Sequence, residues 1–357
     1  MSKTFLMMAG GTGGHIFPAL AVAQTLRAQG HRIVWLGSAG AMETRIVPQH
    51  DIPLETLAIK GVRGNGLLRK LLLPVTLFKT VQAALNVIKK HRVDGVIGFG
   101  GFVSFPGGVA AKIARIPLVI HEQNAVAGLS NRALAKIATR VLYAFPNALP
   151  YADGLVGNPV RAEIAAMPPP AVRFAAHTGS LKLLVVGGSL GAKVFNDTLP
   201  DIIAAMPPAQ RPQVRHQCGR GNSAAVTERY RALGLNAECS DFIEDMVTAY
   251  AAADYVICRA GALTVAELAA AGLGGFLVPF PHAVDDHQTQ NAQYLVQGNA
   301  AICIAQSEFT AADMAERLSR LSREQCLQYA ANARALALPD AAQKMAAIAV
   351  ACVQENG

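Results

Sequence analysis

Residues 3–30 read KTFLMMAGGTGGHIFPALAVAQTLRAQG, and this stretch decides the fold. "TFLMMAG" is an apolar run closed by glycine, as expected of a buried strand. "HIFPALAVAQTLRAQG" carries apolar residues at helical spacing and stops at Gly30. Between them "GGTGGH" sets four glycines and one histidine where a strand hands over to a helix. Such a backbone can approach a phosphate or a sugar closely, or simply turn tightly.

The same scheme runs outward along the chain. "HRIVWLG", a helix across Gln82–Lys90, "VDGVIGFGG", "IPLVIHEQN" and "ATRVLYAF" follow in order. After the turn-rich "GNPVRAEIAAMPPP" it restarts with "LKLLVVGGSLGAKVFNDTLPDII" and continues through "ADYVICRAGALTVAELAAAG", "GGFLVPF" and "AAICIA". Alternating strands and helices predict an α/β protein with parallel sheets covered on both faces. The expected layout is two doubly wound, Rossmann-like domains, 1–160 and 161–339, facing a cleft lined by their two glycine turns. The final segment 340–357 reads as a helix expected to pack back on the first domain.

At 357 residues, 52% apolar and 16% charged, the chain suits two domains with sizeable cores and excludes a disordered or fibrous protein. Its six cysteines are scattered, without CxxC or paired histidine spacing, and read as isolated buried thiols rather than disulfides or a zinc site. Lys3 precedes only a short apolar run with no cleavage site, and no apolar stretch reaches the ~20 residues of a membrane span. A cytoplasmic, non-integral protein is expected. The net charge of +8 is uneven: residues 1–160 hold seventeen Lys and Arg against six Asp and Glu, whereas 161–357 hold fifteen against eighteen. The basic half is suited to a polyanion or an anionic membrane surface.

Two familiar phosphate signatures are absent. A nicotinamide fingerprint needs a third glycine where Ile16 stands and an acid at the end of the second strand, where Gly37 stands. "GGSLGAKV" misses the Walker spacing and its final hydroxyl. More specific is "CRAGALTVAELAAAG", where Gly261 opens a helix whose first N–H groups suit a diphosphate. Glu267, a lone acid in apolar surroundings, suits a ribose diol. In "VPFPHAVDDHQTQNAQYL", Gln288 and Asn291 suit sugar hydroxyls, while Asp285 or Asp286 suits an N-cap.

"GGTGGHIFPALA", "GFGGFVSFP", "HEQNAVAGLSNR", "GNPVR", "GGSLGA", "RAGALTVAEL" and "HQTQNA" together, spread over nearly the whole chain, resemble the MurG family. That resemblance implies the GT-B architecture and an inverting hexosyltransferase of peptidoglycan synthesis. It would move N-acetylglucosamine from UDP-N-acetylglucosamine to a polyprenyl-diphosphate-linked muramyl pentapeptide. Carried over motif by motif, Arg161 and Ser189 would face the donor diphosphate and the backbone of Ile243 would read the uracil. Ala262, Leu263, Thr264, Val265, Ala266 and Glu267 would hold phosphate and ribose, and Gln288 and Asn124 the sugar. Thr12, Gly13 and Gly14 would meet donor sugar, with Gly13, Gly14, His15, Gly100, Gly101, Phe102, Glu122 and Asn124 around the acceptor. Phe102 departs from the tyrosine expected in the family, which removes a hydroxyl.

Deprotonation of the acceptor hydroxyl needs a base. His15 is the candidate, with His121 and Glu122 in reserve, and capping or phosphate binding as His15's alternative role. Helix N-termini and Arg161 can stabilise the leaving group, so no cofactor or metal is required for the chemistry. "GLLRKLLLPVTLFKTVQAALNVIKK" sets Arg69, Lys70, Lys79, Lys89 and Lys90 among Leu, Val and Phe. It reads either as a core helix with a solvated basic face or as a patch for an anionic membrane; the implied lipid acceptor favours the patch. Nucleic acid fits poorly, with aromatics at 6% and no base-reading module. The expected place is the cytoplasmic face of the plasma membrane, peripherally, with other wall-synthesis proteins as candidate partners. Other enzymes on this scaffold, another glycolipid transferase or a UDP-sugar epimerase, and a non-catalytic UDP-sugar sensor are the competing readings.

Overall fold

The computed structural model describes residues 2–59, 73–151, 154–188 and 190–356. The chain divides into two compact units, Met1–Val160 with Pro339–Gly357, and Arg161–Leu338.

Unit 1 is a six-stranded parallel sheet in the order β3-β2-β1-β4-β5-β6. Its strands are β1 (Thr4–Met8), β2 (Arg32–Ser38), β3 (Leu54–Leu57), β4 (Gly95–Gly98), β5 (Leu118–Glu122) and β6 (Arg140–Tyr143). β1, β4 and β5 are buried along their whole length, because helices cover both faces of the sheet. On one face the helices Gly13–Ala28 and Ala341–Glu355 pack together, sharing a core with Phe5, Trp35 and Met345. The chain's last helix therefore belongs to unit 1. On the other face Leu6, Met8 and Leu36 meet the helix Leu73–His91 through Val81, Ala84 and Ile88. That helix begins well before the expected Gln82. Pro74 sits in its first turn, where a missing N–H is harmless, and no Gly or further Pro interrupts it before His91.

Unit 2 repeats the design with β7 (Lys182–Val186), β8 (Gln213–Gln217), β9 (Ala237–Ser240), β10 (Tyr255–Cys258), β11 (Gly275–Leu277) and β12 (Ala301–Cys303). Its parallel order is β12-β11-β10-β7-β8-β9, the same winding as unit 1. In each unit the chain runs outward from the first strand to one edge, then returns to the other side of that strand. The switch points therefore lie between β1 and β4 and between β7 and β10. Both glycine turns leave the carboxyl end of a switch-point strand, where doubly wound sheets bind ligands.

The thiols are all free, and four of the six are buried. Cys218, just past the end of β8, donates from Sγ to the His216 carbonyl at 3.4 Å, and Cys239 lies opposite His216 on β9. Among the described residues no helix is long and apolar enough to cross a membrane.

Candidate functional site

In unit 1 the turn after β1 is wedged between two neighbours. From one side comes the loop after β4: Gly101 is left-handed (φ 83°), and a Cβ there would fall 2.5 Å from the Gly10 carbonyl oxygen. Only glycine lets the two backbones meet this closely. A Cβ on Gly100 would lie 3.0 Å from the His15 ring, so that ring rests on the second glycine loop. His15 stands in the first turn of Gly13–Ala28, half-buried, with Nδ1 3.2 Å from Thr12 Oγ1. Thr12, Gly13, Gly14, His15, Gly100 and Gly101 thus form one surface. Phe102 adjoins it, 48% exposed.

The reserve bases have a different environment. β5 is covered on both faces, and its last two residues turn into the protein. His121 is fully buried, with Nε2 2.9 Å from the Gly157 carbonyl and Nδ1 3.3 Å from Gln123 Nε2. Burial drives its pKa down to about 4, against the carbonyl bond that raises it. Glu122 is buried too: Oε1 accepts from the Asn124 N–H, and Oε2 from the Gly128 N–H and Asn131 Nδ2. Its carboxylate shapes the loop that carries Asn124. Of the three candidate bases, only His15 reaches solvent.

Buried histidines also set an acid limit. His216 on β8 is, like His121, held at a pKa of about 4 by burial, against an ordinary 6.5. A folded-state value below the unfolded one means that the neutral ring stabilises the fold above pH 6.5, and that this is lost as the pH falls towards 4. Each ring contributes about 2 kcal/mol less at pH 5 than at pH 7.5. Each unit holds one such ring, so urea unfolding at the two pH values should show both units losing about that much.

In unit 2 the turn after β7 opens on a cavity of about 570 Å³ lined by Gly187, Gly191, Lys193, Arg259, Thr264 and Gln288, among others. The helix Ala262–Ala271 starts from N-cap Gly261, and Thr264 in its first turn faces the cavity. Gly272 ends it in the left-handed conformation. Gln288 Oε1 accepts from the Phe280 N–H, which holds the side chain at the cavity wall. Asp286 is the N-cap of His287–Gln297, but its carboxylate accepts from the Thr289 hydroxyl, not from a backbone N–H. Asn291 is buried and donates to the Ala260 carbonyl. Ile243 is buried, leaving its side chain within the core. Ser189 lies outside the described residues, as do Arg69 and Lys70.

Arg161 and Glu267, 106 residues apart, form an ion pair. Arg161 Nε and Nη2 donate to Glu267 Oε1 at 3.1 and 3.0 Å, and the Tyr250 hydroxyl donates to Oε2 at 3.1 Å. Burial raises the Glu267 pKa, and Arg161 and Tyr250 oppose that shift. The lone acid of an apolar helix is therefore compensated within its own unit. Arg259 was missed from the sequence, although it stands in the quoted "CRAGALT". Its Nη1 donates to the Val278 and Pro279 carbonyls and its Nη2 to Gln306, while Phe195 and Phe280 flank the guanidinium at 5.1 and 5.5 Å. A cation at the carboxyl end of a switch-point strand was the available signal. Among the described residues no group of three or more His, Cys, Asp or Glu could hold a metal ion.

Known proteins share this arrangement. Residues 5–143 match the glycosyltransferase family 28 N-terminal domain, and residues 182–348 match its C-terminal domain. A Neisseria meningitidis protein is 63% identical over 98% of this chain and 99% of its own length. It is named UDP-N-acetylglucosamine–N-acetylmuramyl-(pentapeptide) pyrophosphoryl-undecaprenol N-acetylglucosamine transferase. A Dechloromonas aromatica protein of the same name is 52% identical over 98% of both chains. The crystal structure of Acinetobacter baumannii MurG superposes with a TM-score of 0.87 at 41% identity, covering 98% of this chain and 99% of that one. With both domains matched and relatives of this similarity along its whole length, the chain belongs to the MurG family within glycosyltransferase family 28.

Proposed function

We propose that this glycosyltransferase moves N-acetylglucosamine from UDP-N-acetylglucosamine to the 4-hydroxyl of a polyprenyl-diphosphate-linked N-acetylmuramyl pentapeptide. The observation that carries this reading is full-length similarity to relatives named for that reaction, at 63% identity. Two glycine turns at two switch points support it, one with a histidine and one with a cation-lined cavity.

The donor belongs to unit 2. Its diphosphate charge is met by the N–H groups of the turn after β7, the start of Ala262–Ala271, Lys193 and Arg259. Gln288 has its Oε1 occupied by Phe280, so its amide hydrogens serve the sugar hydroxyls. The ribose bonds the Glu267 carboxyl, whose pKa burial raises while Arg161 and Tyr250 oppose that rise. The acceptor belongs to unit 1. In the tautomer whose Nδ1–H donates to Thr12 Oγ1, Nε2 is the His15 nitrogen that takes the proton of the muramyl 4-hydroxyl. That oxygen forms the new bond to the sugar's anomeric carbon as the bond to UDP breaks. One displacement inverts the configuration.

The acceptor's lipid places the enzyme at the cytoplasmic face of the plasma membrane. On the helix Leu73–His91, Val75 and Phe78 are 53% and 71% exposed, and Lys79, Lys89 and Lys90 lie on the same element. Apolar side chains beside lysines suit an anionic bilayer surface. Sedimentation with phosphatidylglycerol vesicles should capture the wild type, and Phe78→Ser with Lys79→Glu should weaken capture severalfold. Equal capture by neutral vesicles would contradict the electrostatic part. The linkage tests the reaction: the product should be a β-1,4 disaccharide, made from UDP-N-acetylglucosamine but not from UDP-glucose or UDP-galactose. A different linkage, or free exchange of donors, would overturn the assignment.

A further inference from the structure

We infer that Glu43 is the positioning residue of the His15 turn, the clamp that sets where the acceptor's base stands. The inference rests on the proposed reaction for its readout, but its basis is geometric. Glu43 is completely buried. Its Oε1 accepts from the Ser38 N–H at 2.7 Å, at the end of β2, and its Oε2 accepts from the Gly11 N–H at 3.0 Å. Among the described residues no cation pairs with it in an ion pair, so two backbone donors from different segments are what hold this carboxylate. Burying a charge on such terms is costly, and an apolar side chain would fill the same space without that cost. What the carboxylate adds is a double acceptor that ties the turn to the sheet.

The neighbouring glycines are shaped around it. A Cβ on Gly10 would fall 2.3 Å from Glu43 Oε1, and one on Gly37 would fall 2.6 Å from its Cγ. Gly11 itself is left-handed, at φ 90°, so the peptide that Glu43 grips is the one where the backbone reverses. One residue later Thr12 caps the helix and bonds the His15 ring. From the opposite side Gly101 presses on the Gly10 carbonyl. The turn is therefore held from two directions, and Glu43 supplies the one that fixes the Gly11 peptide. Releasing it lets Thr12 and His15 rotate away from the reacting hydroxyl, which a rate constant registers even when the fold survives.

Two variants test this. Glu43→Gln keeps the shape but sets an amide N–H against one backbone donor. Gly10→Ala keeps the carboxylate but pushes it off the turn. Both should lower kcat for transfer to the lipid acceptor at least tenfold, with the KM for UDP-N-acetylglucosamine within twofold of wild type. Hydrogen exchange should accelerate at 10–15 while β1 and β4 stay protected. If either variant, shown to be folded by that protection, keeps kcat within threefold of wild type, the inference fails. If Glu43→Gln loses activity only in proportion to lost protection of β1 and β4, that variant reports on folding, and Gly10→Ala, which keeps the carboxylate, decides. Failure of the reaction assignment is separable, because the wild type itself would then show no acceptor-dependent turnover.

Discussion

His15→Ala should lower kcat about a thousandfold while leaving the affinity for UDP-N-acetylglucosamine within twofold of wild type. General-base catalysis contributes about 10²–10⁴ in rate, and the other two candidates cannot substitute for this ring. His121 has both nitrogens engaged inside unit 1 and a pKa of about 4. Glu122 has both oxygens committed to the loop at 124–131. The donor cavity is built from unit 2 residues, so removing an imidazole from unit 1 spares donor binding. Isothermal titration with UDP and single-turnover transfer separate the two quantities. A variant with kcat within tenfold of wild type would show that His15 is a cap or a phosphate ligand instead.

Gly191→Ala should cost at least about 3 kcal/mol in unit 2 and weaken UDP binding about a hundredfold or more. Gly191 is left-handed at φ 75°, and its N–H closes the turn onto the Gly188 carbonyl at 2.9 Å. An added Cβ would fall 2.1 Å from the Cys218 carbonyl oxygen. That oxygen cannot step aside cheaply, because the amides of Asn196 and Asn222 donate to it at 2.9 and 3.1 Å. Either the turn opens or β8 shifts at its end. Calorimetric unfolding with UDP titration checks both effects, and unit 1 should melt as before. Unchanged UDP affinity would remove this turn from the donor site.

The winding was legible because its decisive strands are apolar and end in glycine: Thr4–Met8, Gly95–Gly98 and Lys182–Val186 announce themselves. Three strands did not. LETL and AECS form the edge strands β3 and β9, where one neighbour suffices and polar residues are tolerated. QVRHQ forms β8 inside the sheet, with His216 and Gln217 buried in spite of their polarity. The site was legible where a backbone demand writes itself as glycine, at Gly100–Gly101 and Gly187–Gly191. It was not legible where one side chain answers another far along the chain. Glu43 beneath the first turn, Arg161 on Glu267 and Arg259 between two phenylalanine rings are pairings made by the fold. In "HEQN", His121 and Glu122 have the residue types of a catalytic pair, and a strand covered on both faces buries them.

Acceptor dependence of UDP release tests the central claim most directly. Purified protein would be given UDP-N-acetylglucosamine with and without the polyprenyl-diphosphoryl muramyl pentapeptide, and UDP and lipid-linked disaccharide would be counted together. Release that needs the acceptor, with one UDP for each disaccharide, is the predicted result. Tight UDP binding with no release in either case, or release indifferent to the acceptor, would contradict it.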